Sequence, residues 1–216
     1  MATHGPLTGV LLVGGASTRF GAPKALARLH GRTLAEIGWA TLGELCDERL
    51  AVGKLGNALE LPFRVTDDGS GTRAPLAGVV AGLRAAANDV TVVLPVDCPL
   101  VPAAALRLLA LACADAAVPA RDAPLPGAYR KTALALLERR LAAGELALRD
   151  ALLELDVREV PLDPALLVNV NTPADLEALQ RPAIGSSPWG ETTRSRSAPV
   201  PTSDTSTSSS RSTSST

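Results

Sequence analysis

Leu7–Val13 is an almost unbroken apolar run that opens into Gly14-Gly15, the pattern of a strand buried on both faces. Beyond it, strand-like and helix-like blocks alternate. Thr33 and Glu36 stand in T-x-x-E spacing, a capping box that predicts a helix from Leu34 to about Leu45. Glu48–Val52 reads as a second strand and Phe63–Thr66 as a short third. Pro75 starts a helix that runs to Ala87, with proline in the first turn, where no intrahelical N–H is needed. Val90–Leu94, rich in β-branched residues, predicts a central parallel strand. Pro102–Ala112 is helical and Ala114–Val118 a strand. Leu134, Leu137 and Leu141 share one helical face, and Gly144 stops that helix. Arg149–Leu155 predicts a short helix, Val157–Val160 a strand, and Thr172-Pro173 with Asp175 a capped last helix to about Leu179. Such alternation predicts an α/β domain with a largely parallel sheet covered on both faces. Ligands in sheets of this kind sit beyond the carboxyl ends of the strands.

The apolar pattern stops near Arg181. Residues 182–216 are rich in Ser and Thr and nearly devoid of apolar side chains, so they cannot bury enough surface to offset their ordering entropy. The expected organisation is therefore a domain over 1–181 and a disordered tail over 182–216, with Trp189 the one aromatic in it, either a solvated stray or part of a docking peptide. The whole chain of 216 residues is long enough for one sizeable core. Its composition is 46% hydrophobic but only 2% aromatic, so that core is built from Leu, Val and Ala. A formal net charge of −1 argues against a general binder of nucleic acid or membrane surfaces. No apolar run is long enough to span a bilayer, and the N-terminus lacks a signal-peptide pattern. The three cysteines form neither a zinc pattern nor a disulfide framework, which fits the cytoplasm.

Four segments carry candidate chemistry. After the first strand come Gly14, Gly15, Arg19, Gly21 and Lys24. Glycines let backbone N–H groups approach an anion, Arg19 can fork onto phosphate oxygens, and Lys24 can act as a point charge. The spacing is neither GxxxxGKS/T nor GxGxxG, and an ordinary turn with two surface cations would look the same. Asp97 ends the strongest strand between Pro95 and Pro99, a good place for a carboxylate that holds Mg²⁺ shared with substrate phosphates; it lies too early to cap the Pro102 helix. Asp67 closes a strand ahead of a Gly-rich turn, where it can meet a ligand's polar edge or simply form the turn. Asn169 and Asn171 alternate with valines and so share one face of an expected strand, as ligands or as turn-formers.

In this order the four segments resemble the molybdenum cofactor guanylyltransferases, among the Rossmann-like nucleotidyltransferases. That family reads L-A-G-G-x-S-x-R-M-G-x-x-K, an acid ahead of G-P-L-A-G, C-D-x-P, and N-x-N-T-P. Here these appear as LVGGASTRFGAPK, Asp67 ahead of APLAG, Val96-Asp97-Cys98-Pro99, and Asn169-Val170-Asn171-Thr172-Pro173. Pro124-Leu125 and Tyr129-Arg130-Lys131 resemble a further family stretch. The resemblance covers roughly 7–180 and implies a single three-layer Rossmann-like domain with a mostly parallel central sheet. It implies transfer of GMP from GTP to molybdopterin with release of pyrophosphate, the terminal phosphate of the pterin attacking the α-phosphorus in line. Arg19, Lys24 and Asp97 would be catalytic. Val13, Gly14, Gly15, Lys24, Asp67 and Asp97 would bind the nucleotide, Asp97 would hold Mg²⁺ or Mn²⁺, and Asn169 and Asn171 would neighbour the pterin or the metal. Such an enzyme contacts neither nucleic acid nor membrane, and meets molybdoenzymes or their chaperones only transiently. The attacking phosphate is already ionised, so His4 and His30 need no role, and Cys98 is expected to pack rather than react.

The chain departs from the pattern at Val13 and Ala74, where the family has alanine and glycine. Two alternatives therefore stay open. One keeps the fold with another base or acceptor, as a cytidylyltransferase or a sugar-phosphate nucleotidyltransferase. The other is a non-catalytic nucleotide-binding protein that delivers cofactor through its tail. The Gly14-Gly15 pair and Pro75–Gly78 side with guanine, since the cytosine branch carries A-G at the first site and D-Q-P at the third.

Overall fold

A computed structural model of the chain describes residues 5–14, 20, 23–54 and 60–181. The expected tail over 182–216, His4, Gly15 and Arg19 lie outside the described residues.

The first strand, β1 (Leu7–Leu12), is buried along its whole length. Two short strands, β2 (Arg28–Leu29) and β3 (Arg32–Thr33), form a separate antiparallel hairpin. Its turn places exposed His30 and Gly31 at positive φ, +49° and +82°. Helix α1 (Leu34–Gly43) follows with the capping box in place: Glu36 N–H donates to Thr33 Oγ1 at 3.1 Å, and Thr33 N–H to Glu36 Oε2 at 2.7 Å. Then come β4 (Glu48–Gly53), β5 (Val65–Asp67), α2 (Pro75–Ala85), β6 (Val90–Pro95), α3 (Ala103–Ala112), β7 (Ala116–Val118), β8 (Gly127–Arg130), α4 (Leu134–Ala142), α5 (Leu148–Ala151), β9 (Val157–Glu159) and α6 (Pro173–Gln180).

The main sheet has seven strands in the order β5-β4-β1-β6-β8-β7-β9. Strand β8 runs antiparallel to both β6 and β7, and the other pairings are parallel. The two-residue period of β1 sorts its side chains between two cores. Leu7 and Leu11 join Leu34, Leu42, Leu106 and Leu109 beneath α1 and α3. Val10 and Leu12 join Leu76, Leu83, Leu137 and Leu152 beneath α2, α4 and α5. Helix α2 lies close on the sheet, because a Cβ at Gly82 would stand 2.8 Å from Val10 Cγ2. These are the layers of a Rossmann-like α/β domain with a mostly parallel central sheet.

Three expectations are corrected. The third strand lies at Val65–Asp67 rather than 63–66, because Phe63 is taken up in a stack on Trp39 with ring centroids 4.1 Å apart. Strand β8 has no counterpart in the sequence reading; its four residues carry one glycine and one alanine and give too short a period to register. The Asn169–Asn171 segment is not a strand. It links a 3₁₀ turn at Pro164–Leu167 to α6, with fully buried Val170 anchoring it. Both asparagine side chains nonetheless reach residues of the Asp97 region, Asn169 the Cys98 thiol and Asn171 the Lys24 ammonium.

Candidate active site

Strands β1 and β6 are neighbours, yet β4 flanks β1 on its other side. The order of the sheet therefore reverses at their carboxyl ends, where open α/β sheets have their binding crevice. Leu12 pairs with Pro95 in register, and Val96 N–H donates to Leu12 O at 3.0 Å, so the loops after the two strands begin side by side. Beyond them lies a cleft of about 370 Å³ whose walls include Val13, Gly14, Lys24, Lys54, Asp68 and Asp97.

Glycines shape its floor. A Cβ at Gly14 would stand 3.0 Å from Gly53 Cα, and one at Gly53 would stand 2.9 Å from Val13 Cγ2 and 3.1 Å from Gly14 N. The chain can bring the ends of β1 and β4 this close only because neither residue carries a side chain. Val13 N–H donates to Val52 O at 2.9 Å and holds the approach. The outcome is exposed backbone at the cleft floor, which lets a ligand approach the main chain.

Lys24, in a short 3₁₀ turn at Lys24–Leu26, crosses the cleft to Asp97. Its ammonium lies 3.2 Å from Asp97 Oδ2 and donates to Asn171 Oδ1 at 2.9 Å. Residues 73 and 147 positions away from Lys24 thus meet at one cation. The Asn171 segment is tied to the Asp97 loop twice more. Val170 N–H donates to Asp97 O at 2.8 Å, and the Cys98 thiol donates to Asn169 Oδ1 at 3.0 Å. Asp175 then caps α6 by accepting the N–H groups of Asn171 and Thr172, each at 2.8 Å. Those two N–H groups hold its carboxyl below the usual carboxylate range. Burial, reinforced by the Asp97 charge, pushes the Cys98 thiol up to about 12, so the sulfur is a protonated, inert packing group.

The opposite wall carries a second ion pair. Lys54 Nζ lies 2.5 Å from Asp68 Oδ1 and also donates to Ser70 O. Arg73 and Pro75, at the start of α2, complete that rim. Asp67 ends β5, as its sequence position implies, but its carboxylate accepts the Gly69 N–H at 2.7 Å, and Asp68 is the acid that lines the cleft. Lys54, Asp68 and Arg73 escaped the sequence reading as site residues. The signal for Lys54 was its position directly after β4, at the carboxyl end of a parallel strand.

The stretch Pro124–Lys131 divides between two ends of the sheet because β8 runs antiparallel. Leu125 lines the cleft, whereas Arg130 pairs with Asp89 at 2.7 Å at the far end. Tyr129 is fully buried and donates to Pro124 O at 2.6 Å, which fixes the Leu125 wall.

The donors around Asp97 suit a hard cation. Asp97 Oδ2 and Asn171 Oδ1 are oxygen atoms that already face a positive charge, the Lys24 ammonium. One carboxylate with amide oxygen nearby is the sparse protein donor set that Mg²⁺ accepts when phosphates and water fill its remaining positions.

Known proteins resemble this chain in sequence and architecture. The sequence model of the MobA-like NTP transferase domain matches residues 9–160. A probable molybdenum cofactor guanylyltransferase of Chloroflexus aggregans is 36% identical over 200 residues, covering 83% of this chain and 96% of the relative. A molybdenum cofactor guanylyltransferase of Acidiphilium cryptum is 36% identical over 186 residues, covering 81% of this chain and 94% of the relative. Among solved structures, molybdopterin-guanine dinucleotide biosynthesis protein A of Archaeoglobus fulgidus superposes with a TM-score of 0.67 at 27% identity, over 80% of this chain and 96% of the other. The 2-C-methyl-D-erythritol 4-phosphate cytidylyltransferase of Thermus thermophilus shares the fold at a TM-score of 0.61 and 24% identity, over 79% of this chain and 96% of the other.

Proposed function

This chain belongs to the MobA-like NTP transferase family, and we propose that it transfers GMP from GTP to molybdopterin, forming the guanine dinucleotide and releasing pyrophosphate. The observation that carries this reading is the meeting of Lys24, Asp97 and Asn171 at the reversal point of the sheet, beside the Gly14–Gly53 approach. The names of the guanylyltransferase relatives supply the nucleotide and the acceptor.

In this reading the nucleotide lies along the floor at Val13 and Gly14, where it can reach the main chain. Lys24, with Arg19 and Gly15 of the glycine loop, meets the triphosphate. Asp67 and its neighbour Asp68 stand at the guanosine end. Asp97 would hold Mg²⁺ or Mn²⁺, with Asn171 beside it. The ion would supply charge neutralisation at the transferring phosphate. Lys24 bridges Asp97 and Asn171, so a triphosphate that draws the ammonium toward its oxygens would free both groups for a cation.

The protein has little covalent chemistry to perform. A phosphate monoester is ionised near neutral pH and attacks without a general base; the work is positioning and charge neutralisation. The inert Cys98 thiol and the exposed His30 fit that demand. Asn171, held to Lys24 beside Asp97, and Asn169, held to Cys98, stand next to the Asp97 loop, where the pterin phosphate would enter. The reading also carries a cytoplasmic location and a passing contact with the molybdoenzyme or chaperone that receives the product.

The test is to incubate purified protein with molybdopterin, Mg²⁺ and each nucleoside triphosphate in turn. Dinucleotide and pyrophosphate should form with GTP in preference to CTP. Preference for CTP, or turnover only with a sugar phosphate as acceptor, would replace this reading with one of its relatives on the same fold.

A further inference from the structure

Among the described residues, the cations that line the cleft are Lys24, Lys54 and Arg73. Two are already paired, Lys24 with Asp97 and Lys54 with Asp68. Asp68 Oδ1 also accepts the Ser70 N–H at 2.9 Å, and the first turn of α2 carries no acid. Arg73 is left exposed, with no hydrogen bond or ion pair among the described residues. Its guanidinium is a flat fork of N–H donors, suited to two neighbouring acceptors in one plane.

The wall beside it selects among acceptors. Ala74, Pro75 and Gly78, next along the chain, also line the cleft and are apolar. Gly78 lets α2 lie close, since a Cβ there would stand 2.8 Å from Cδ2 of Leu12, itself a lining residue. An apolar wall with one polar group at its rim suits a flat ring read along its edge. A phosphate there would find its second cation, Lys54, already taken, and would meet the Asp68 carboxylate. With the phosphates at Lys24 and the Asp97 wall, the base of a nucleotide lies toward α2.

We propose that Arg73 is a specificity-determining residue that reads the base, donating to O6 and N7 of guanine. The inference rests on the proposed GTP substrate and adds what selects guanine in this chain. Guanine alone among the bases offers two neighbouring acceptors on that edge. Adenine sets an amino group beside its N7, and cytosine presents an amino group there and no N7.

Calorimetry on the full-length protein with Mg²⁺ tests this without the acceptor, using GTP, 7-deaza-GTP, ATP and CTP. The wild type should bind 7-deaza-GTP, which lacks the N7 acceptor, several-fold more weakly than GTP. Arg73→Ala should weaken GTP about tenfold, within the range of one bidentate base contact. It should also erase the difference between GTP and 7-deaza-GTP, and leave ATP and CTP unchanged. Its melting temperature without nucleotide should match the wild type, since Arg73 holds no partner in the fold. Equal weakening of all four nucleotides would mark a triphosphate contact and overturn the proposal. Unchanged GTP affinity, or a preference over 7-deaza-GTP that survives Arg73→Ala, would overturn it as well. Arg73-dependent selection of guanine without dinucleotide formation upholds it and refutes the proposed transfer. Dinucleotide formation with GTP affinity unchanged in Arg73→Ala does the reverse.

Discussion

The Lys24 ammonium stands 3.2 Å from the Asp97 carboxylate, bridging the 3₁₀ turn after the glycine loop to the end of the central strand β6. With side-chain exposures of 16% and 28%, the pair is partly screened by water and contributes little to folding. Its value lies in placing a cation and a carboxylate where a polyphosphate and its counter-ion would meet.

Asp97→Asn should therefore separate function from stability. The melting temperature should stay within a few degrees of wild type, because a partly exposed ion pair is worth on the order of 1 kcal/mol or less. Turnover should fall by at least about a hundredfold, as expected when a transition-state charge contact is lost. Calorimetry and a pyrophosphate-release assay on the same preparation check both halves.

Lys24→Ala should act on nucleotide affinity and rate. A charge-assisted hydrogen bond is worth about 1.5–3 kcal/mol, so kcat/KM for GTP should drop roughly ten- to hundredfold. Steady-state kinetics with GTP varied at saturating acceptor measures it.

Gly14→Ala should push the ends of β1 and β4 apart, since the new Cβ would meet Gly53 Cα at 3.0 Å and Lys54 N at 3.3 Å. Backbone cannot yield as a side chain can. The expected outcome is a loss of about 1–3 kcal/mol of stability, the usual range for overpacking, with a larger proportional loss of GTP binding. Chemical denaturation and nucleotide titration together distinguish the two.

The thiols of Cys46, Cys98 and Cys113 are each pushed up to about 12, chiefly by burial. Raised folded values mean that the folded chain keeps protons the unfolded chain would release above the ordinary 9.0. These groups therefore hold full stability below pH 9 and lose it as pH rises from there toward 12. Iodoacetamide at pH 8 should leave Cys98 and Cys113 unlabelled in the native protein and label both after denaturation. Mass spectrometry reads the outcome, and rapid native labelling of Cys98 would contradict its inert role.

Much of this arrangement was legible in the sequence because the signals were local. The capping boxes at Thr33 and Thr172, the proline opening α2, and the apolar runs of β1 and β6 each depend on neighbouring residues, and all reappear in the fold. What escaped depends on distant pairing. Strand β8 exists because β6 and β7 offer it edges, and nothing in Gly127–Arg130 announces that. Asn169 and Asn171 lie in a linker rather than the expected strand, since Val170 anchors a linker as well as it would a strand. Asp67 and Asp68 are indistinguishable in sequence. The Gly69 turn takes the first and leaves the second to Lys54. Arg19 and Gly15 fall outside the described residues, so their part in the proposal rests on the motif.

If the Lys24–Asp97 site drives nucleotidyl transfer to molybdopterin, product formation must depend on it. The most direct measurement is mass-spectrometric detection of dinucleotide, alongside pyrophosphate release, in a mixture of the protein, GTP, Mg²⁺ and molybdopterin. Molybdopterin-guanine dinucleotide and pyrophosphate are expected in equal amounts, with both at least about a hundredfold slower to form in Asp97→Asn. GTP binding without pyrophosphate release, or product formation undiminished in Asp97→Asn, would contradict the site's role.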